Sequence, residues 1–111
     1  MLNQIVLVGR LVRNPELRDS ENGKKYTNVT LAVPRGYKNV DGEYESDFID
    51  CRLWSIVAEN TAEYCKKGDL IGVKGRVESR VYEKDGEKKY ITEVVAEKIT
   101  FLSSKKPDEK E

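Results

Sequence analysis

The sequence predicts an all-β domain, five antiparallel strands closed into a small barrel, with one short α-helix between strands 3 and 4. Three observations predict it. Apolar residues recur in extended runs, mostly alternating with polar ones at the period of two that puts successive side chains on opposite faces of a strand. Only the segment after Trp54 carries helical spacing. Asn22-Gly23, Asp41-Gly42 and Asp85-Gly86 punctuate the runs with the residue types that tight turns require.

Ile5-Val6-Leu7-Val8 opens the chain as a strand apolar on both faces, followed by Gly9 and Arg10. Such a strand is central, or has one face in an oligomer interface. Asn14-Pro15-Glu16-Leu17-Arg18 breaks it, and residues 20–25 form a turn. The second strand runs from Tyr26 to Val33, with Val29, Leu31 and Val33 inward and Asn28, Thr30 and Ala32 outward. Pro34 ends it, because proline donates nothing to a ladder. Residues 35–47 form a polar connection turning at Asp41-Gly42, in which Tyr37 stands between Arg35 and Lys38. Its acidic half, Asp41 to Asp47, reads as a solvated edge.

The third strand, Phe48 to Trp54, organises the rest. Its odd positions, Ile49, Cys51 and Leu53, suit a core; its even positions, Phe48, Asp50, Arg52 and Trp54, put two rings and a cation on the other face. A soluble monomer has little reason to expose such rings. Single-stranded nucleic acid needs that combination, ring faces for bases and cations for phosphates. The competing expectation is that Phe48 and Trp54 pack under a loop or a neighbouring subunit. The helix spans Ile56 to Lys67, with Ser55 as N-cap, Gly68 as the glycine beyond its end, and Lys66 and Lys67 at the negative end of the dipole. Tyr64 is expected in the core beneath it.

Leu70 to Tyr82 forms the fourth strand. Ile71, Val73, Gly75, Val77, Ser79 and Val81 take one side, and Lys74, Arg76, Glu78, Arg80 and Tyr82 the other. Cations alone would fit a solvated edge strand; the ring among them needs a further reason. A charged hairpin tip turns at Asp85-Gly86, Tyr90 to Val95 returns as the fifth strand, and Ile99, Phe101 and Leu102 close the core. Residues 1–103 then form the domain and 104–111 a short disordered polar tail. Five strands with a helix after the third is the order of an OB-fold barrel, whose sheet face and loops bind oligonucleotides or oligosaccharides.

Composition narrows the function. The 111 residues hold 20 basic and 20 acidic side chains, so a nucleic-acid binder of this charge must concentrate its cations on one face. Histidine is absent, which removes the commonest general base and metal ligand. Two separated cysteines, Cys51 and Cys65, make a zinc site improbable and read as free core thiols, with no disulfide. No enzyme activity, metal or cofactor is expected. Neither a signal peptide pattern nor an apolar run of about 18 residues occurs, so a cytoplasmic, nucleoid-associated location is expected.

The chain closely resembles the bacterial single-stranded DNA-binding protein family from Leu2 to about Leu102. The resemblance is carried by Asn3-Gln4-Ile5-Val6-Leu7-Val8-Gly9-Arg10, Asn14-Pro15-Glu16-Leu17-Arg18, Thr30-Leu31-Ala32-Val33 and Asp47-Phe48-Ile49-Asp50-Cys51. It continues through Ala58-Glu59-Asn60, Tyr64-Cys65-Lys66-Lys67-Gly68, Gly75-Arg76-Val77 with Arg80 and Tyr82, and Tyr90-Ile91-Thr92-Glu93-Val94-Val95. It implies base-stacking roles for Tyr37, Phe48, Trp54 and Tyr82, and phosphate contacts from Arg10, Arg35, Lys38, Arg52, Lys74, Arg76 and Arg80. It also implies a homotetramer that wraps single-stranded DNA without sequence preference during replication, recombination and repair. The N-terminal strand, Asn3, Ile5, Val6, Leu7 and Val8, would pair between subunits.

Two departures accompany the resemblance. Cellular members end in an acidic, hydrophobic tip that recruits replication and repair enzymes; this chain ends in alternating charges, so such recruitment is not expected of it. Tyr37 and Tyr82 stand where some members have tryptophan. Rival readings are an OB-fold replication-restart or protein-interaction module with weak DNA binding, and an oligosaccharide binder. A third is a small nuclease holding Mg²⁺ on Asp41, Glu43, Glu45 and Asp47, although no nucleophile stands beside that cluster.

Overall fold

The computed structural model describes residues 2–104. The alternating runs become strands β1 (Ile5–Leu11), β2 (Arg18–Asp19), β3 (Lys25–Lys38), β4 (Tyr44–Trp54), β5 (Leu70–Lys84) and β6 (Glu87–Ser103), with helix α1 (Ser55–Tyr64) between β4 and β5. Their order is β1-β5-β6-β4-β3-β2, and a further β1–β3 pairing closes the five long strands into a barrel. The two-residue β2 lies outside that ring, paired to β3 through Arg18–Tyr26 and Asp19–Lys25. The expected OB-fold architecture is therefore present.

One strand pair departs from the all-antiparallel expectation. β4 and β6 run parallel, pairing Cys51 with Val94 and Arg52 with Val95. Parallel neighbours need a crossover between them, and α1 with β5 supplies it. Side-chain periodicity reports which face a residue takes, not strand direction, so this pair was invisible in the pattern.

Inward residues follow the alternation where the barrel is closed. Val29, Leu31, Cys51, Leu53, Ile71 and Val73 are buried, joined by Leu11, Val94 and Ala96. Ala58, Thr61 and Cys65, at helical spacing, are buried beneath α1, which packs against β3, β4 and β6. Gly75 is required by a close approach at the β5–β6 irregularity, because a Cβ there would collide with the carbonyl oxygen of Val95.

The expected boundaries fail where strands outrun the barrel. Pro34 does not end β3; it pairs with Ser46, beyond the last β1 partner at Ala32, and a bulge follows before Lys38. Proline is tolerated at such edges and bulges. The 35–47 connection is therefore mostly hairpin, and only residues 39–43 turn, with the Asn39 side-chain oxygen accepting the Asp41 and Glu43 N–H groups at 2.9 Å. The β5–β6 hairpin also extends past the core and turns at Asp85-Gly86 as expected, both with positive φ. Its length leaves Val77 and Val81 exposed rather than inward. Phe101 and Leu102 are likewise exposed, and only Ile99 of the closing trio packs on the core.

The helix is shorter than its spacing suggests. Its N-cap is Trp54, without a side-chain cap; Ser55 is the first helical residue, at φ 55. It stops at Tyr64 because backbone bonds take the chain elsewhere. Gly68 donates to the Leu11 carbonyl at 2.9 Å, Leu11 donates to the Asp69 carbonyl at 3.0 Å, and the Asp69 carboxylate accepts the Lys66 N–H. Gly68, at φ 92, serves that turn rather than a helix end, and Lys66 and Lys67 lie outside the helix. Tyr64 is 63% exposed, not core, and its ring lies tilted against that of Phe101, centroids 6.3 Å apart. Among the described residues, no helix is long and apolar enough to cross a membrane. The tail expectation falls almost wholly on residues 105–111, outside those described.

Candidate nucleic-acid interface

Register decides which predicted residues meet. Across β3 and β4 the outward pairs are Tyr26–Trp54, Asn28–Arg52, Thr30–Asp50 and Ala32–Phe48. Arg52 continues across the parallel pair to Val95, and Val95 to Arg76 on β5; further along the same face of β5, Arg80 pairs with Ile91 and Tyr82 with Lys89. Directly opposed residues share a face. The cation-and-ring faces of the two expected strands are thus one surface, joined through β6.

At its centre the Arg52 guanidinium lies 5.8 Å from the ring centroids of both Tyr26 and Trp54, and those rings are 5.5 Å apart, tilted by 41°. Cation–π attraction of this kind fixes a guanidinium over a ring. Arg52 Nε also donates to the Asn28 side-chain oxygen at 3.2 Å. A groove of about 550 Å³ runs past this group, lined by Ser20, Asn22, Tyr26, Arg52, Trp54 and Arg80 among others. A second hollow, bounded by Arg13, Arg18, Tyr26 and Asn28, continues it towards β2.

The other sites spread from this centre. Phe48 is well exposed, six residues from Trp54 along β4, or roughly 20 Å at strand rise. Arg10 shares its row through Ala32, and donates to the Gly68 carbonyl at 2.9 Å. Tyr37 is exposed on the β3 extension, and Lys38 lies 5.7 Å over the ring of Tyr44. Tyr82 is exposed on the β5 arm. Lys74 falls apart from the Trp54 group, in a row with Val6 and Lys98.

Most of the arginines are matched by carboxylates. Arg35 donates to Asp47 at 2.8 Å and to Glu45 at 3.1 Å, Arg76 to Glu78 at 2.7 Å and Glu97 at 2.9 Å, and Arg80 to Glu93 at 3.0 Å. The Arg35 guanidinium, by its hydrogen bonds, holds the Asp47 carboxyl below its ordinary value. The Arg35 and Arg76 pairs are exposed and contribute only about 0–1 kcal/mol, so a phosphate can replace those carboxylates at little cost; the Arg80 pair differs, because its Glu93 side chain is 8% exposed. Glu45 and Asp47, two of the four carboxylates of the nuclease reading, are committed to Arg35.

The N-terminal strand divides by face. Ile5 and Leu7 pack on the chain's own core, while Val6 is 67% exposed and Val8 is exposed beside it. Asn3 laces the N-terminus to β5, donating to the Val77 carbonyl and accepting its N–H, both at 2.9 Å.

The sequence reading missed Tyr26, Tyr44, Arg13 and Arg18. Tyr26 carried a usable signal, since it shares the parity of Asn28 and Thr30, the outward face. Tyr44 was hidden among acidic neighbours. Arg13 and Arg18 lie outside the long strands, where no periodicity assigns a face.

A closed five-stranded barrel carrying rings and arginines on one sheet face defines an OB-fold domain of the oligonucleotide-binding kind. The profile of the Single-strand binding protein family matches residues 2–102, and the chain belongs to that family. It is 50% identical over 111 residues to Single-stranded DNA-binding protein B of Bacillus subtilis (strain 168), covering 99% of this chain and 97% of that one. It is 53% identical over 106 residues to Single-stranded DNA-binding protein 3 of Listeria innocua, covering 95% of this chain and 66% of that one. It is 52% identical over 103 residues to the Single-stranded DNA-binding protein of Halalkalibacterium halodurans, covering 92% and 61%. The chain therefore spans less than two thirds of the last two relatives. The family is one of DNA-binding proteins rather than enzymes, in agreement with the sequence expectation.

Proposed function

We propose that this protein binds single-stranded DNA without sequence specificity and protects it during replication, recombination and repair. Bases stack on Tyr37, Phe48, Trp54 and Tyr82, and phosphates are neutralised by Arg10, Arg35, Lys38, Arg52, Lys74, Arg76 and Arg80. The observation that carries the reading is Arg52 held over Tyr26 and Trp54 with Arg80 on the same face. Stacking contributes roughly 1–3 kcal/mol per base and tolerates any sequence, because every base has a ring face. A base paired in a duplex cannot lie on Trp54, so single strands are preferred.

The active form is a homotetramer, supported by the exposed Val6 and Val8 on a strand whose other face serves the core. The protein acts in the cytoplasm on nucleoid DNA, without metal or cofactor. A competition in which unlabelled duplex or oligo(dT) displaces labelled oligo(dT) tests the reading. Displacement by the single strand alone is expected; equal displacement by duplex contradicts it.

A further inference from the structure

Glu93 stands out on the aromatic–arginine face. A glutamate is almost never fully buried unless paired, yet Glu93 keeps 8% exposure in β6, between arginines of β4 and β5. Its Oε1 accepts hydrogen bonds from Arg80 Nε and Nη2 at 3.2 and 3.0 Å, and its Oε2 lies 3.6 Å from Arg52 Nε. One carboxylate thus serves two guanidiniums, and the cluster keeps a single net positive charge. The two arginines are not equivalent. The Arg52 side chain is 20% exposed and committed to Tyr26, Trp54 and Asn28, whereas that of Arg80 is 45% exposed.

Unlike the exposed carboxylates on Arg35 and Arg76, Glu93 is buried and faces two arginines at once. We propose that Glu93 is a positioning residue for single-stranded DNA: it holds Arg52 over the Tyr26–Trp54 pair and keeps Arg80 in reserve until a phosphate replaces the carboxylate there. This rests on the reading that this face binds single strands. A phosphate offers the same forked oxygen geometry to a guanidinium as a carboxylate does, so Arg80 keeps its hydrogen bonds in the exchange, while Glu93 Oε1 gives up the two it accepts from Arg80. Glu93 then remains on Arg52. The carboxylate lowers the net charge that the cluster shows to the backbone, and with it affinity at low salt.

The test is the salt dependence of oligo(dT) binding by the full chain and by Glu93→Gln, Arg80→Gln and the double variant, each checked for its fold by circular dichroism. One phosphate more or less on a single strand changes the slope of log affinity against log salt by about 0.7. Glu93→Gln is expected to bind more tightly at low salt with a slope steeper by about that amount, and Arg80→Gln to be shallower by a similar amount. The double variant is expected between the two singles. A merely structural role for Glu93 would weaken binding without steepening the slope. A folded Glu93→Gln with an unchanged or shallower slope overturns the proposal. If Glu93→Gln does not fold, the comparison moves to the double variant against Arg80→Gln: a steeper slope in the double supports the proposal, and an equal or shallower one overturns it. Failure of the unaltered protein to bind oligo(dT) overturns the proposed function as well; binding with slopes indifferent to Glu93 overturns this inference alone.

Discussion

Tyr26 and Trp54 face each other across β3 and β4, ring centroids 5.5 Å apart at 41°, with the Arg52 guanidinium equally distant from both. The tilt leaves each ring only partly covered by the other, so a base can still lie against the pair. Removing Trp54 takes away a stacking surface. Trp54→Ala is expected to weaken oligo(dT) binding by roughly 1–3 kcal/mol. Tyr26→Ala is expected to weaken it less, and to shift the emission of Trp54. Titration of both variants by anisotropy of labelled DNA checks this, and full affinity in Trp54→Ala would remove the ring from the site.

Gly75 lies where β5 and β6 approach too closely for a side chain, a Cβ meeting the Val95 carbonyl. Gly75→Ala therefore forces a backbone shift in the wall that carries Val94 and Ala96. A loss of about 1–3 kcal/mol is expected, as for overpacking of a core. Urea unfolding measures it as a lower midpoint with an unchanged slope.

Burial pushes the Cys51 thiol up to about 12, with Asp50 adding to the effect, and the Cys65 thiol up to about 11, with Asp69 adding. Both values lie above the unfolded 9.0. The thiols' contribution to stability is thus complete below about pH 9 and is lost as pH rises towards these folded values. Since the thiolate is the nucleophile, neither cysteine should react with a disulfide reagent at neutral pH while the protein is folded. Both should react in urea. Prompt labelling of the native chain would contradict the burial.

Val6 and Val8 form an apolar stripe on β1 whose neighbour across β5 includes Lys74. If that stripe joins subunits, a charge placed in it is unpaired and desolvated on assembly. Val6→Glu is expected to lower the mass measured by sedimentation to that of a dimer or monomer, with the barrel intact. An unchanged mass would place the interface elsewhere.

Much of this surface is legible in the sequence. Phe48, Arg52 and Trp54 announced an outward face by parity alone, as did Arg76, Arg80 and Tyr82, because the pleat fixes side-chain direction at a period of two. Their union was not legible. It depends on β6 lying between β4 and β5, a long-range pairing that local alternation does not encode. The extended hairpins were missed for a related reason: past the barrel no core selects apolar residues, so residues 35–38 and 44–47 read as loop although β3 and β4 run through them, with Lys38 paired to Tyr44, Ser46 to Pro34 and Asp47 to Val33. The helix end was misplaced because hydrogen bonds from Gly68 to Leu11, some 57 residues earlier in the chain, outweighed the local capping signal. The role of Glu93 was hidden among alternating charges, and only its two arginine partners single it out.

The central claim, that single-stranded DNA lies on the Trp54 face, is tested most directly by the emission of Trp54, the chain's one tryptophan. Oligo(dT) added at low salt should quench it strongly, duplex DNA should leave it nearly unchanged, and added salt should weaken the single-strand titration. DNA binding detected by another method with no change in Trp54 emission would contradict the account and move the site off this face.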